Sequence, residues 1–246
     1  MVNYPQLAVE IATWIAERVR AAGCRGVVLG LSGGVDSAVS AGLAHRALGT
    51  ESVLGLIMPC HSVPDDEAHA HLVIDTFGIA WDRVDLGPAF DALSGQLPPA
   101  DGLAVANLKP RLRMTALYYY ASLNHYLVLG TSNRTELLVG YFTKYGDGGA
   151  DLLPLGDLLK CQVVELAREI GVPDAIINKP PSGGLWAGQT DEGEMGITYE
   201  RLDRVIAALD AGDTAGIDPQ DVSQVERMLT TSAHKREPLP CFRAGA

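Results

Sequence analysis

The stretch "GLSGGVDS", residues 30–37, follows the apolar run "GVVL" and precedes "AVSAGLAHRAL". A short apolar run bounded by glycine is typical of a buried parallel strand, and a helix is predicted from about Val35. Glycines between a strand and a helix let backbone N–H groups approach an anion, towards which the helix directs its positive end. The stretch therefore predicts a phosphate-binding loop in an α/β fold.

Three further stretches predict strands: "SVLGLIMP", "WDRVDL" and "YLVLGTSN". They alternate with helical patterns such as "LKPRLRMTALYYYASLNH", in which Pro110 lies near the first turn, where proline is tolerated. This alternation predicts a doubly wound parallel sheet flanked by helices. Ligands of such sheets bind outside the C-terminal strand ends, where "GLSGGVDS" and "GTSNRTE" leave the sheet.

The second half of the chain has long Gly- and Pro-rich loops, "TKYGDGGADLLPLGDLLK" and "INKPPSGGLWAGQTDEGEMG", on either side of one helix. Their interleaved apolar residues favour ordered, functional loops. Two helices, near 199–209 and 219–229, precede the polar tail "TSAHKREPLP". Because no linker or repeat interrupts the pattern, we expect a single domain over residues 1–246.

Composition excludes several classes of protein. The formal net charge of −11, from 19 basic and 30 acidic residues, repels a long polyanion, so no nucleic-acid partner is expected. No apolar run approaches the ~20 residues of a membrane helix, and the first ten residues lack a signal-peptide pattern. The four cysteines are far apart, which argues against a zinc site or a disulfide framework and suits a reducing compartment. We expect a cytoplasmic protein.

Asp36 stands where a P-loop of the type G-x-x-x-x-G-K-[ST] would carry lysine. A carboxylate beside phosphates is repulsive unless a cation lies between them, so Asp36 implies Mg²⁺. An N-cap role for Asp36 or Ser37 leaves the double glycine unexplained. "GLSGG" also fits the hydrolase motif G-x-S-x-G, with Ser32 as nucleophile and His234 as base. That reading is poor because too little chain precedes the loop and no HGGG-like stretch exists.

"SGGVDS" resembles the S-G-G-x-D-S signature of the N-type ATP pyrophosphatases, which adenylate a substrate and release pyrophosphate. "NLKPRLRM", "LGTSNRTELLVGYFTKYGDGGADLLPLGDLLK", "KPPSGGLWAGQTDEGEMGITY" and "HKR" together resemble the NH₃-dependent NAD synthetases over residues 30–236. The resemblance implies a Rossmann-like fold of the adenine nucleotide alpha hydrolase type. It also implies a ligase that amidates deamido-NAD⁺ with ammonia through an NAD-adenylate, releasing AMP and pyrophosphate, as the final step of NAD⁺ biosynthesis.

The resemblance assigns roles to the motif residues. ATP would be bound by Gly30, Leu31, Ser32, Gly33, Gly34, Val35, Asp36, Ser37, Thr131, Lys160 and Ser182. Deamido-NAD⁺ would be bound by Arg111, Lys144, Asp151, His234 and Lys235. Asp36 and Glu136 would hold Mg²⁺, and the catalytic residues would be Asp36, Lys144 and Lys160.

Simpler explanations compete at some of these positions. Glu136 also suits a helix N-terminus as a dipole partner, and the polar tail around His234 and Lys235 also suits a solvated terminus. Arg113 is expected on a solvated helix face. Four of the five lysines, all but Lys109, lie in motifs, and each is a compact charge suited to phosphate.

The sequence also bears on the nitrogen source, the assembly and the alternative functions of the protein. The sequence offers no room for the nitrilase-type amidase domain of glutamine-using relatives, so free ammonia is the expected nitrogen source, and the resemblance implies a homodimer. One alternative is another ATP pyrophosphatase acting on a different substrate, and a second is a nucleotide-binding module without turnover. A thiol-based tRNA sulfurtransferase using Cys60 would need a nucleic-acid surface and, usually, a second cysteine.

Overall fold

The computed structural model describes residues 2–62, 64–100, 102–186 and 188–244. Its central sheet has four parallel strands in the order β3-β2-β1-β4. Their bounds are β1 Gly26–Gly30, β2 Val53–Ile57, β3 Ala80–Arg83 and β4 Tyr126–Val128. The chain builds outward from β1 to β3 and then places β4 on the other side of β1. This reversal leaves a crevice at the C-terminal ends of β1 and β4.

Helices cover both faces of the sheet. Their bounds are α1 Tyr4–Ala21, α2 Val35–Leu48, α3 Pro64–Phe77, α4 Gly87–Ser94, α5 Leu103–Ala106, α6 Leu108–Asn124, α7 Arg134–Val139, α8 Lys160–Glu169, α9 Asp174–Ile177, α10 Asp191–Met195, α11 Tyr199–Ala211, α12 Pro219–Thr231 and α13 Ala233–Arg236. The predicted doubly wound α/β fold is confirmed, and Pro110 does lie in the first turn of α6.

The period-2 alternation of β1 divides the core between the two faces. Val27 and Leu29 pack in a cluster with α1, α2, α3 and α8, whereas Val28 packs on the other face with residues of α6. A third cluster joins α7 to α10, α11 and α12, with Leu202 and Ile206 at its centre. α8 packs in the first cluster and also contacts α11, so it connects the core of the sheet to this third cluster.

No helix in the described ranges is long and apolar enough to cross a bilayer.

Candidate functional site

A cavity of about 1200 Å³ opens at the C-terminal ends of β1 and β4, where the topology predicts a ligand site. Its walls come from the loop after β1, the loop between β4 and α7, the glycine-rich segment after α7, the segment after α9 and the tail. The predicted site residues that line it are Gly30, Leu31, Ser32, Gly34, Val35, Asp36, Arg111, Thr131, Glu136, Lys144, Lys160, Ser182, His234 and Lys235. Three predicted residues do not line it: Gly33, Ser37 and Asp151.

The loop after β1 is held by its own polar groups. The Ser37 hydroxyl donates to the Gly34 carbonyl (2.9 Å) and accepts from the backbone N–H of Ser32 (3.3 Å). Gly34 is the N-cap of α2, and no side chain caps this end. Asp36 is the second residue of the helix, so the N-cap explanation of Asp36 and Ser37 is wrong. The uncapped N–H groups remain available to an anion.

Asp36, Glu136 and Lys160 form a compact ionic cluster at the cavity floor. The Lys160 ammonium pairs with the Asp36 carboxylate and lies 3.6 Å from Glu136 Oε1. Asn133 Nδ2 donates to Asp36 Oδ1 (2.9 Å), and the Asn133 side chain also caps α7 in a capping box with Glu136. One ammonium thus faces two carboxylates.

Burial perturbs the protonation of this cluster. Desolvation, followed by repulsion from Asp36, raises the pKa of Glu136 to about 8. Burial alone would lower the pKa of Lys160, but the attraction of Asp36 and Glu136 outweighs it and places that pKa above its ordinary value. Lys160 therefore stays charged, and a cation bound beside Glu136 would favour the ionised form of this acid.

Two phenols orient the acids around this cluster. The Tyr199 hydroxyl lies 3.1 Å from Asp191 Oδ2 and 3.4 Å from Glu136 Oε1, and its ring lies 4.9 Å from the Lys160 ammonium. The Tyr141 hydroxyl lies 3.1 Å from Asp191 Oδ1 and 2.8 Å from Glu194 Oε2. Burial and the nearby carboxylates raise the pKa of both phenols, so both remain hydrogen-bond donors.

The other motif lysines donate to protein acceptors. Lys144 Nζ donates to the His234 carbonyl (2.5 Å), and Lys235 Nζ donates to the carbonyls of Gly140 (2.6 Å) and Phe142 (2.8 Å). Lys179 pairs with Asp66 at 2.7 Å. The tail at 233–236 is thus a short helix packed on the glycine-rich segment, unlike a frayed terminus. An incoming phosphate would have to replace these acceptors.

Asp151 lies apart from the cavity. Its exposed carboxylate accepts from the Tyr118 hydroxyl (3.0 Å) and from the backbone N–H of Val128 (2.8 Å). It therefore joins α6 to β4 at the protein surface, and within one chain it does not meet Lys144 or Lys160 across the cavity.

Arg113 corrects an expectation from the sequence. Instead of facing solvent, its guanidinium lines the cavity and donates to the Met58 carbonyl (3.2 Å) and to Ser62 Oγ (3.3 Å). Within the described ranges no carboxylate forms a salt bridge with it. Lys109, for which the sequence predicts no ligand contact, is buried and donates to the Leu185 carbonyl (2.6 Å). Arg113 stands in the motif "NLKPRLRM" two residues after Arg111, but no ligand role was assigned to it from the sequence.

The rival chemistries find no support in the site. Ser32 Oγ contacts Ser37 Oγ (3.1 Å) and the Gly34 amide, and the His234 ring contacts the Thr231 carbonyl, so no Ser–His pair forms. Cys60 is fully buried, and burial raises the pKa of its thiol, which disfavours a reactive thiolate. The described ranges contain no group of three His, Cys, Asp or Glu residues suited to a metal. Mg²⁺ needs fewer, because one or two carboxylates hold it together with phosphate oxygens.

Comparisons with known proteins agree with this geometry. The NH(3)-dependent NAD(+) synthetase of Finegoldia magna is 47% identical over 96% of this chain and 95% of its own length. The enzyme of the same description from Archaeoglobus fulgidus is 44% identical over 98% of each chain. Among solved structures, the NMN synthetase of Francisella tularensis superposes with a TM-score of 0.90 at 34% identity, covering 99% of this chain and all of that one. The NH3-dependent NAD synthetase of Campylobacter jejuni gives 0.87 at 28% identity, with the same coverage.

The family profile described as NAD synthase matches residues 7–239. This match confirms the family that the motifs indicate and, with it, the predicted C–N ligase. The chain belongs to the NAD synthase family.

Proposed function

We propose that this protein converts deamido-NAD⁺, ATP and ammonia into NAD⁺, AMP and pyrophosphate. The ionic cluster of Asp36, Glu136 and Lys160 beside an uncapped helix N-terminus is the observation that carries the proposal. Anion-binding N–H groups and metal-suited carboxylates meet there at one strand end. The relatives named NH(3)-dependent, aligned over nearly their full length, support ammonia as the nitrogen donor.

A carboxylate needs activation before ammonia can displace one of its oxygens. In the proposed first step, an oxygen of the nicotinate carboxylate attacks the α-phosphorus of ATP, and the bond to the bridging oxygen of pyrophosphate breaks. In the second step, ammonia attacks the acyl carbon, the C–O bond to AMP breaks, and the nitrogen loses a proton. Neither step needs a covalent enzyme nucleophile. Lys160 would offset the negative charge that develops on the phosphates during both steps.

Asp36 and Glu136 are the proposed Mg²⁺ ligands. Their donor set fits the ion, because two carboxylate oxygens face a cavity in which ATP phosphates would supply the remaining ligands. Mg²⁺ bound there would act as a Lewis acid on the phosphate oxygens. Lys160, which pairs with Asp36 and lies beside Glu136, would be released to contact phosphate.

Deamido-NAD⁺ is proposed to bind along the side of the cavity formed by Arg111, Lys144, His234 and Lys235. Arg111 Nε and Nη2 both approach the Lys144 carbonyl at 3.4 Å, so these residues already form one surface. The cavity exceeds the roughly 300–1000 Å³ that small-molecule sites usually occupy, as two nucleotide ligands require.

We propose that two copies of the chain form the active assembly. Tyr119 and Leu123, one turn apart on α6, are 66% and 64% exposed, which is unusual for side chains of their size. Asp151 is exposed as well and is bonded to Tyr118 of the same helix. A second subunit there would cover the apolar pair and would bring Asp151 into a substrate site. We also propose that the protein works in the cytoplasm, because its four cysteines are free, as suits a reducing compartment.

We further propose that residues 1–246 form one cooperative domain, since α8 packs in the core cluster of the sheet and also contacts α11. A single urea transition, coincident by circular dichroism and fluorescence, is the expected result. Two separated transitions would divide the chain into two domains.

A substrate comparison tests the proposed function. The protein is incubated with ATP, Mg²⁺ and NH₄⁺ together with either deamido-NAD⁺ or nicotinate mononucleotide, because one structural neighbour is named an NMN synthetase. We expect AMP and NAD⁺ in equal amounts, with a higher kcat/KM for the dinucleotide. Preference for the mononucleotide would contradict the proposed substrate, and ADP formation would contradict the proposed chemistry.

A further inference from the structure

Two residues outside the cavity join the helices that carry Glu136 and Lys160. Asp203 of α11 is 4% exposed, and Thr135 of α7 is fully buried. Neither lines the cavity. The Thr135 hydroxyl donates to Asp203 Oδ1 (2.5 Å) and accepts from the backbone N–H of Lys160 (3.0 Å). Asp203 Oδ2 accepts from the backbone N–H of Cys161 (2.8 Å).

These contacts supply the cap that α8 lacks. Its N-cap residue is Leu159, whose side chain accepts no hydrogen bond, so the first N–H groups of the helix need other acceptors. Thr135 and Asp203 provide them from two different helices. The Asp203 carboxylate also faces the positive end of the helix dipole, a favourable placement for a negative charge.

The residues bonded in this way are also next to, or part of, the ionic cluster in the sequence. Thr135 immediately precedes Glu136, and Lys160 is the first residue of α8. Fixing the Thr135 hydroxyl between the Lys160 amide and Asp203 therefore fixes the backbone of both cluster residues. Tyr199, one turn before Asp203 on the same helix, contacts the Glu136 carboxylate directly.

We propose that Asp203 and Thr135 are positioning residues that set the spacing between Glu136 and Lys160 in the catalytic cluster. This inference rests on the proposed roles of those two residues. Through Asp203, α11 would hold the backbones of α7 and α8 in place, although neither Asp203 nor Thr135 lines the cavity. A displacement of the two backbones lowers kcat more than substrate affinity, because the cluster acts on charge that develops during the reaction.

The test separates positioning from simple stability. Thr135→Val keeps the side-chain shape and removes the hydroxyl, Thr135→Ser retains the hydroxyl, and Asp203→Asn removes the charge at the helix end. Asp221→Asn is the matched control, because Asp221 is also a buried acid bonded to α11, through Arg201, and within the described ranges its side chain forms no hydrogen bond with α7 or α8. Each variant is assayed for kcat, for the KM of ATP and for the melting temperature.

We expect Thr135→Val and Asp203→Asn to lower kcat at least about tenfold with KM changed less than about threefold, which corresponds to a loss of roughly 1.4 kcal/mol or more in the transition state. Thr135→Ser, which keeps the hydroxyl, is expected to retain kcat within about threefold of the wild-type value, a smaller loss than that of Thr135→Val. Asp221→Asn lowers the melting temperature while kcat is retained. The proposal is overturned if Thr135→Val retains kcat or if Asp221→Asn loses as much kcat as Asp203→Asn. Glu136→Gln and Lys160→Met are assayed beside them: full activity in these two would refute the proposed cluster itself and not only its positioning.

Discussion

Gly33 shows how one residue shapes the phosphate loop. Its φ is +73°, and an added Cβ would meet the Asp66 carbonyl oxygen at 2.5 Å and His69 Cβ at 2.7 Å. Positive φ costs an L-residue roughly 1–2 kcal/mol, and the overlap adds to that cost. We therefore expect Gly33→Ala to lower the free energy of unfolding by more than this backbone cost and to raise the KM for ATP. Urea denaturation and steady-state kinetics measure the two effects.

Gly212 provides the control for this prediction. Its φ is +69°, but nothing lies within 4 Å of an added Cβ, so Gly212→Ala tests the backbone cost alone. Equal losses of stability in the two variants would show that Gly33 is required for its φ only and that the loop does not pack on α3.

Single residues were predictable where a motif carries them. Asp36, Glu136 and Lys160 stand in motifs, and the structure brings them together from positions up to 124 apart in sequence. Tyr199 ends one of the quoted motifs, but no role was assigned to it, and Asp203 lies outside the motifs, where an acid on an amphipathic helix looks like an ordinary surface residue. Their partners on α7 and α8 become visible only in the tertiary structure.

At the scale of elements, the segment between α9 and α10 covers one side of the cavity. The Lys109 ammonium holds it through the Leu185 carbonyl, and Gln189 Oε1 accepts from the Leu185 amide (2.9 Å). Lys179 joins the start of the segment to Asp66 on α3. Such a cover would keep water from hydrolysing the adenylate.

Lys109→Met tests that role. Methionine fills the space of the lysine stem but cannot donate to Leu185, and hydrogen bonds to charged groups contribute about 1.5–3 kcal/mol. We expect the population of the open segment to rise about tenfold or more, and with it AMP release in excess of NAD⁺ formation. The measured quantity is the ratio of AMP to NAD⁺.

Arg18→Met, which removes an exposed cation from α1, is the control and retains a ratio of one. If Lys109→Met also retains that ratio, the segment does not protect the intermediate.

The elements were predictable in proportion to their length. The strands and the helices α1, α6, α8, α11 and α12 follow from apolar runs or helical periodicity. The four-residue helices α5, α9 and α13 and the five-residue α10 span about one turn each, too short to show a period. They form because the surrounding chain packs on them, and this packing cannot be predicted from the short segments themselves.

At the scale of the whole molecule, the exposed pair on α6 predicts the assembly. Charges in place of apolar side chains oppose burial, so Tyr119→Glu combined with Leu123→Glu is expected to shift the protein from dimer to monomer. Sedimentation velocity measures the change. Val9→Glu, at a 42% exposed position on α1, is the control and leaves the dimer intact. A fully active wild-type monomer would contradict the dimer proposal.

The net charge of −11 becomes intelligible at this scale too. The chain is acidic overall, whereas cationic groups line the cavity. The lysines and arginines that line it lie on segments brought together only by folding. Composition argues against nucleic acid as a partner, but it could not show that the cavity lysines are already engaged by carbonyls and carboxylates.

The transfer of ¹⁸O from the substrate carboxylate tests the central claim most directly. Deamido-NAD⁺ labelled with ¹⁸O in its nicotinate carboxylate is incubated with the protein, ATP, Mg²⁺ and NH₄⁺, and the products are analysed by mass spectrometry. If the carboxylate attacks the α-phosphorus, each AMP carries one ¹⁸O atom in its phosphate and pyrophosphate carries none. AMP without label, or label in pyrophosphate or inorganic phosphate, would contradict the adenylate mechanism.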